Sequence, residues 1–381
     1  MHLTLILDGF GYDTVKAYVA QGGFKGFHGP SAVVAPYPSM TDLCIQDLLG
    51  GEPCEALEAR YYDEKRNRIR GGSIAYLFGQ NQPYRKKLNY RGAAWIDALC
   101  YIAPWSAFKV ELRRLNHRLT KARTDKFIAY LVSTAGIGTK FGQLGQNMCL
   151  GRIDSMCQEL VQRMPGLRIT LVSDHGHGYV SSAFFDIRHE LKRRGWRFVS
   201  SLGQDKELAY PAFGLVHCAG FHTRKTEELA DNLRGLACTE LVSYLAKNKV
   251  VVMTAEGLGE VWPNPTGYSY LNIQGDPLEL GIKIGETLQI SCDGWLDKSI
   301  VHLYPCAPER LWRAHTKLVR NTPDVILALK DGYFFGSRLL GRFAHVESTH
   351  GGLNRSNSLT FCLDNQRIPP LAATSSKILQ I

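Results

Sequence analysis

At 381 residues the chain is long enough to bury a large core, as one big α/β domain with insertions or as two domains. Its composition, 45% hydrophobic and 21% charged, excludes a disordered or fibrous protein. The net charge of +10 favours an anionic partner (a phosphoester, a nucleotide or a nucleic acid), with a merely soluble basic surface as the plain alternative. Ten cysteines stand at irregular, distant positions without a C-x-x-C, which is the thiol usage of a reducing compartment rather than a disulfide framework or a zinc ribbon. The apolar run at the N-terminus is short for a signal peptide and lacks a basic leader. No apolar run approaches the roughly 20 residues that span a bilayer. The expectation is a cytoplasmic protein without a membrane partner, of undetermined oligomeric state.

Leu3 to Leu7 reads as a buried strand that ends on Asp8-Gly9. A second strand, Ala32–Ala35, runs into Pro36-Tyr37-Pro38-Ser39-Met40-Thr41. The helical spacing that follows from Asp42 puts Thr41 at or just before a helix N-terminus, where free backbone N–H groups favour anions. Residues 51–107 change character. Arginines and lysines alternate there with Tyr61, Tyr62, Tyr76, Phe78, Tyr84 and Tyr90, which suggests a cap insertion able to stack a base and pair a phosphate, or else a solvated lobe.

A basic helix-like segment, Arg113 to Lys126, precedes the strand Phe127–Val132. The glycines from Gly136 to Gly142 do not make a nucleotide loop, because position 141 is phenylalanine and no G-K-[ST] occurs. A helix from Asn147 to Met164 leads into the strand Leu167–Ser173, which stops on Asp174-His175-Gly176-His177. A carboxylate beside an imidazole at a strand's C-terminal end lies where open α/β sheets bind ligands, and both are good donors to a zinc-like ion. Further on, helices are expected at Phe185–Arg194 and Thr226–Lys247. Strands are expected at Lys249–Met253 and Asp324–Leu329, and loops at Pro263–Pro265 and Asn272–Pro277. The tail from Pro369 reads as peripheral.

Four stretches thus recur in order: Asp8-Gly9, Pro38-Ser-Met-Thr41, Ser173-Asp174-His175-Gly176 and Thr349-His350-Gly351-Gly352. Together they resemble the alkaline phosphatase superfamily, in its type I phosphodiesterase/nucleotide pyrophosphatase branch. The resemblance spans nearly the whole chain. It implies a single domain over 1–381, a three-layer α/β/α sandwich with a largely parallel central sheet, with 51–107 as a small cap insertion. It also implies Thr41 as the nucleophile, with Asp8, Thr41, Asp174 and His175 as ligands of the metal that activates it, and His350 on the side of a second metal.

The chemistry agrees with that assignment. Phosphoryl transfer asks for positioning and positive charge, and a threonine hydroxyl needs a metal or a base to become a nucleophile.

The pattern breaks at one place. The family's D-x-x-x-H aligns with Ala135-Gly-Ile-Gly-Thr139, and alanine cannot bind a metal. One ion, Zn or Mn, is therefore expected rather than two. Lys140, the cap arginines or His350 would then serve the leaving oxygen. The reading is a metal-dependent phosphodiesterase, phosphatase or phosphotransferase. Its alternative is a catalytically inactive relative that binds a nucleotide, phosphate or nucleic acid.

Blander roles stand beside these: an Asx turn at Asp8, a helix cap at Thr41 and a structural loop histidine at His350. Ser39 is a weaker nucleophile candidate, and His177 and His345 are read as local structure. A sulfatase of the usual kind is disfavoured, because position 41 is neither Cys nor Ser.

Overall fold

A computed structural model describes residues 1–337 and 346–379. Seven strands form the larger mixed sheet among them: β1 (His2–Leu7), β2 (His28–Val34), β3 (Tyr90–Arg91), β4 (Lys126–Leu131), β5 (Arg168–Ser173), β6 (Leu359–Asp364) and β7 (Ala372–Thr374). Their order is β7-β2-β6-β5-β1-β4-β3. Every neighbouring pair is parallel except the two made by β6. β1 lies near the middle and is buried from Leu3 to Leu7, as its unbroken apolar run requires of a strand covered on both faces.

Helices cover each face. Leu3, Leu5 and Leu7 pack with α1 (Tyr12–Ala20), α4 (Pro104–Thr120) and α5 (Ser133–Arg163). Ile6, Val33 and Val172 face α2 (Thr41–Leu49) and α3 (Ala94–Ile102) on the other side. This is a three-layer α/β/α sandwich with a largely parallel sheet.

The register fixes the site. β1 pairs in step with β5, Leu7 opposite Ser173, and with β4, Leu7 opposite Leu131. Asp8 and Asp174 therefore leave neighbouring strands at the same level.

Several expectations need correction. The tail is not peripheral: Ala372–Thr374 extends the sheet beside β2, and Ala373 and Ile378 are buried in its core. The helix expected at Asn147 starts at Ser133, with a break at Gly142, whose φ of 58° and ψ of −149° only glycine adopts readily. The basic helix runs over Pro104–Thr120, because Lys126 already begins β4.

The helix expected over Thr226–Lys247 stops at Arg234, and Thr239–Ala246 is a strand. Pro263–Asn264 and Asn272–Gln274, read as loops, close the strands Leu258–Asn264 and Gly267–Gln274. These strands belong to a second seven-stranded sheet that the sequence reading did not anticipate. It is antiparallel throughout and spans residues from Cys218 to Leu329. The helices Ile187–Arg193 and Thr226–Arg234 cover one face, and Ala307–Thr316 the other.

Within 51–107, Arg60–Asp63 and Arg68–Gly71 make a short hairpin, while Tyr90–Arg91 is the edge strand β3. Tyr61, Tyr62, Tyr84 and Tyr90 are buried, so they offer no ring to a base, and Phe78 is the exposed aromatic of the set. The nine cysteines described are buried. No helix among the described residues is long and apolar enough to cross a membrane.

Candidate metal centre

Asp8, Asp174 and His175 converge at the C-terminal ends of β1 and β5, with one potential ligand atom of each within 4.8 Å of the others. All three are buried. Asp174 Oδ1 accepts from the backbone N–H of Gly9 (3.1 Å) and of His175 (2.8 Å). Asp8 Oδ2 accepts from the hydroxyl of Tyr130, on the adjoining strand β4. The other oxygen of each carboxylate, Asp8 Oδ1 and Asp174 Oδ2, is buried without a hydrogen-bond partner among the described residues. Each lies 3.4 Å from His175 Nε2.

The tautomer of His175 gives this convergence its meaning. Its Nδ1 is 2.9 Å from the carbonyl of Gly176, which can only accept, so Nδ1 carries the hydrogen and Nε2 a lone pair. Burial, moreover, lowers the His175 pKa to about 4, so the ring is neutral and the two 3.4 Å contacts are not ion pairs. Two carboxylate oxygens and a nitrogen lone pair thus converge within 4.8 Å of one another. A divalent cation fits that donor set.

Thr41 completes the group. Met40 is the N-cap of α2, with no side-chain capping bond, and Thr41 is the first helical residue. Its hydroxyl lies 3.0 Å from His175 Nε2, donating to that lone pair instead of capping the helix. Ser39 is fully buried, its single hydroxyl hydrogen shared between the carbonyls of Pro36 (3.0 Å) and Gly352 (3.2 Å), and so it serves as a loop tie.

His350 stacks on His175 with ring centroids 4.0 Å apart, and its Nδ1 is 3.0 Å from the carbonyl of Ser39. Its backbone carbonyl accepts from the N–H of His217 (2.8 Å), whose own carbonyl accepts from Leu329 at the end of a strand in the second sheet. Ala135 is a buried methyl in the first turn of α5. Thr139 stands one turn on, its carbonyl accepting from Glu347. Lys140 is exposed and donates to the carbonyl of Ile102 (2.9 Å). His345 lies outside the described residues.

Sequence reasoning did not mark Tyr130 or Arg310. Tyr130 is inside a strand, and nothing local marks its hydroxyl for Asp8. Arg310 is buried, donating to the carbonyl of Leu353 (2.8 Å) and to Ser39 Oγ (3.2 Å), so one guanidinium ties the Thr41 loop to the His350 loop. Desolvation lowers its pKa to about 10, which still leaves it charged. His177, read as local structure, brings a third imidazole beside His350 at 5.4 Å. Its sequence signal was simply its spacing, two residues past His175.

No protein-family model matches the sequence, and no curated protein matches it by sequence. Similarity appears in three dimensions. Human ectonucleotide pyrophosphatase/phosphodiesterase 5 aligns with a TM-score of 0.55 at 12% identity, covering 99% of this chain and 92% of that one. The murine protein aligns over the same shares, with a TM-score of 0.53 at 12% identity. So does an inactive threonine-to-alanine form of the murine protein in complex with AMP, with a TM-score of 0.53 at 11% identity.

The fold is that of the nucleotide pyrophosphatase/phosphodiesterases. It is the fold expected from the four motifs, and in it the strand ends carrying Asp8 and Asp174 and the helix start carrying Thr41 come together.

Two expected results follow from this geometry. Desolvation, with Asp174 nearby, holds the Asp8 pKa well above its usual range, and desolvation raises that of Asp174 to about 7. A raised carboxyl favours the folded state at acid pH, and that contribution is lost as pH rises from about 4 through about 7. Cation-free protein should therefore lose stability over that window, while cation affinity rises, because metal and protons compete for the same oxygens. Calorimetric titration with Zn²⁺ between pH 5.5 and 8 should show proton release and tightening up to about pH 7; a flat profile would remove these carboxylates from the site.

The other result concerns Gly9. Its φ is +80°, and a Cβ there would sit 2.5 Å from His177 Nε2. Gly9→Ala should cost about 2–4 kcal/mol in urea unfolding through backbone strain and a clash with a buried ring, and a change under about 0.5 kcal/mol would contradict this geometry.

Proposed function

We propose that this chain processes phosphoesters as a metal-dependent phosphodiesterase, phosphatase or phosphotransferase, with Thr41 as the nucleophile. The observation that carries the reading is the Thr41 hydroxyl directed at His175 Nε2, beside two buried carboxylate oxygens that lack a partner. Asp8, Asp174, His175 and Thr41 would hold one divalent cation, Zn or Mn. When bound, it supplies the positive charge that makes a hydroxyl nucleophilic at neutral pH and offsets phosphoryl charge.

The chain's own residues account for the remainder. The Thr41 oxygen forms a bond to phosphorus, its proton passes to solvent, and the ester P–O bond breaks. The leaving alkoxide takes a proton from solvent. Water, or the hydroxyl of a second substrate, then attacks the phosphothreonine and returns the Thr41 hydroxyl. The start of α2 turns backbone N–H groups toward the phosphoryl oxygens. Tyr130, Gly9 and the His175 amide keep both carboxylates in place.

A nucleotide substrate is supported by the murine neighbour, whose inactive threonine-to-alanine form holds AMP. A binding-only role draws on Ala135 and Thr139, which leave no ligands at the usual second position. Incubating the Zn²⁺- or Mn²⁺-loaded protein with bis(4-nitrophenyl) phosphate and with dinucleoside polyphosphates decides between the two. Release of nitrophenolate or a nucleotide, absent with chelator, supports the enzyme. Binding without release supports the retired relative.

A further inference from the structure

Beside the hairpin of the 51–107 insertion lies a cavity of about 190 Å³ that none of Asp8, Thr41, Asp174, His175 and His350 lines. It borders a third, three-stranded sheet, in which Tyr333–Gly336 pairs antiparallel with Leu215–Val216 and parallel with Ala183–Phe184. Phe184, Phe185, Phe335 and Tyr210 give it aromatic walls. Arg60, from the hairpin, and Arg188 line it as well, and both are exposed to solvent.

Positive charge is in excess there. Arg60 donates to the carbonyl of Ala212 at 3.5 Å, and Arg188 lies over the ring of Phe198, 4.9 Å from its centroid. Neither guanidinium makes an ion pair among the described residues. The carboxylate on the lining, Asp186, accepts the N–H of His189 at the start of the helix Ile187–Arg193 (3.1 Å), so two guanidiniums outnumber it.

Tyr210 adds a polar group with no internal use. It is 7% exposed, its ring stacked on Phe221 (5.1 Å) and Phe335 (5.4 Å). Its hydroxyl is buried and has no hydrogen-bond partner among the described residues. Burial holds the pKa of that hydroxyl well above its ordinary value; Glu58 and Asp186 push it the same way and Arg188 opposes, so the hydroxyl is close to the charged groups of the cavity. A buried hydroxyl left unbonded costs the fold stability, which a partner arriving from outside recovers.

We infer that this cavity binds a small planar anion, a single aromatic ring carrying a carboxylate, with the ring among the phenylalanines and the carboxylate facing Arg60, Arg188 and the Tyr210 hydroxyl. Guanidinium and carboxylate are both planar and match in two parallel hydrogen bonds. The volume lies below the roughly 300–1,000 Å³ of pockets that take drug-sized ligands, which suits one ring rather than a whole nucleotide. The inference does not depend on the proposed function.

The test is calorimetric titration of the full chain with benzoate, cyclohexanecarboxylate and benzamide, which are alike in size and differ in the ring or the charge. Wild type should bind benzoate at one saturable site, with the other two at least about 10-fold weaker. Arg60→Gln and Arg188→Gln, both at exposed positions, should each weaken benzoate binding by about 10-fold. Tyr210→Phe should weaken it by about 5-fold without lowering the melting temperature, because the hydroxyl it removes has no partner among the described residues. Melting curves would establish that every variant is folded. No saturable benzoate binding by wild type would overturn the inference, as would equal affinity for either analogue, affinity unchanged in both arginine variants, or binding that a chelator abolishes. A Tyr210→Phe variant that melts lower yet binds benzoate as wild type does would assign the hydroxyl to the fold and overturn it equally.

Discussion

Thr41→Ala should abolish turnover, by about 10⁴-fold or more in kcat, while leaving cation content and fold essentially intact. The magnitude follows from the role: a methyl group cannot form the bond to phosphorus, and what survives is only the attack of water on a positioned ester. The selectivity follows from the structure. The N-cap is Met40, and Thr41 makes no capping bond, so α2 does not depend on the hydroxyl. Alanine is at least as good a helix former at that position. Asp8, Asp174 and His175, the other proposed ligands, are untouched, and stability should change by no more than about 1 kcal/mol. Thr41→Ser, which keeps the hydroxyl, should retain measurable activity. Metal-dependent turnover and a trapped phosphothreonine in wild type, both absent in Thr41→Ala, would establish the covalent route. Undiminished turnover in the alanine variant would end it.

Asp174→Asn should separate binding from stability, with opposite signs. The amide oxygen can keep the bonds from the N–H groups of Gly9 and His175. The amide nitrogen takes the place of Oδ2, 3.4 Å from the lone pair on His175 Nε2, to which it can donate. An ionised donor to the cation is lost, so affinity should fall by about 100-fold or more, and turnover with it. The cation-free protein should gain stability, however. Wild type at pH 8 must ionise a buried carboxyl whose pKa is raised to about 7, and the amide has no charge to desolvate. A rise in Tm of roughly 2–5 °C at pH 8 is expected for the cation-free variant over cation-free wild type, shrinking toward pH 5 as the wild-type carboxyls take up protons. A fall in Tm at pH 8 would mean that Asp174 stabilises the fold as a carboxylate, against the geometry described.

The parts of this site that the sequence displays are those written locally. A buried strand, a carboxylate and a glycine occur together at Leu3–Gly9 and again, with an imidazole, at Leu167–Gly176. Parallel pairing in register then places Asp8 and Asp174 side by side without further instruction. Tyr130 and Arg310 reach the site through side chains whose direction depends on packing between distant segments, and no spacing rule announces them. The second sheet was missed for a related reason. One of its inner strands, Val325–Leu329, pairs with Cys218–Phe221 and Thr239–Ala246, both far away in sequence, and Thr239–Ala246 follows a helix closely enough to be read as its continuation. β7 is three residues long, too short to show alternation.

The link from His350 to the second sheet has a consequence for the entropy of binding. His217 lies between the His350 carbonyl and Leu329, and that strand is buried from Val325 to Leu329. A histidine on a glycine-flanked loop would ordinarily have to be immobilised when its ligand arrives. Here the backbone of His350 is held, through His217, to the end of a buried inner strand, so the conformational freedom of the loop is lost once, during folding. A ligand arriving at His350 would meet an imidazole already in place, and its affinity would not be reduced by the ordering of that loop.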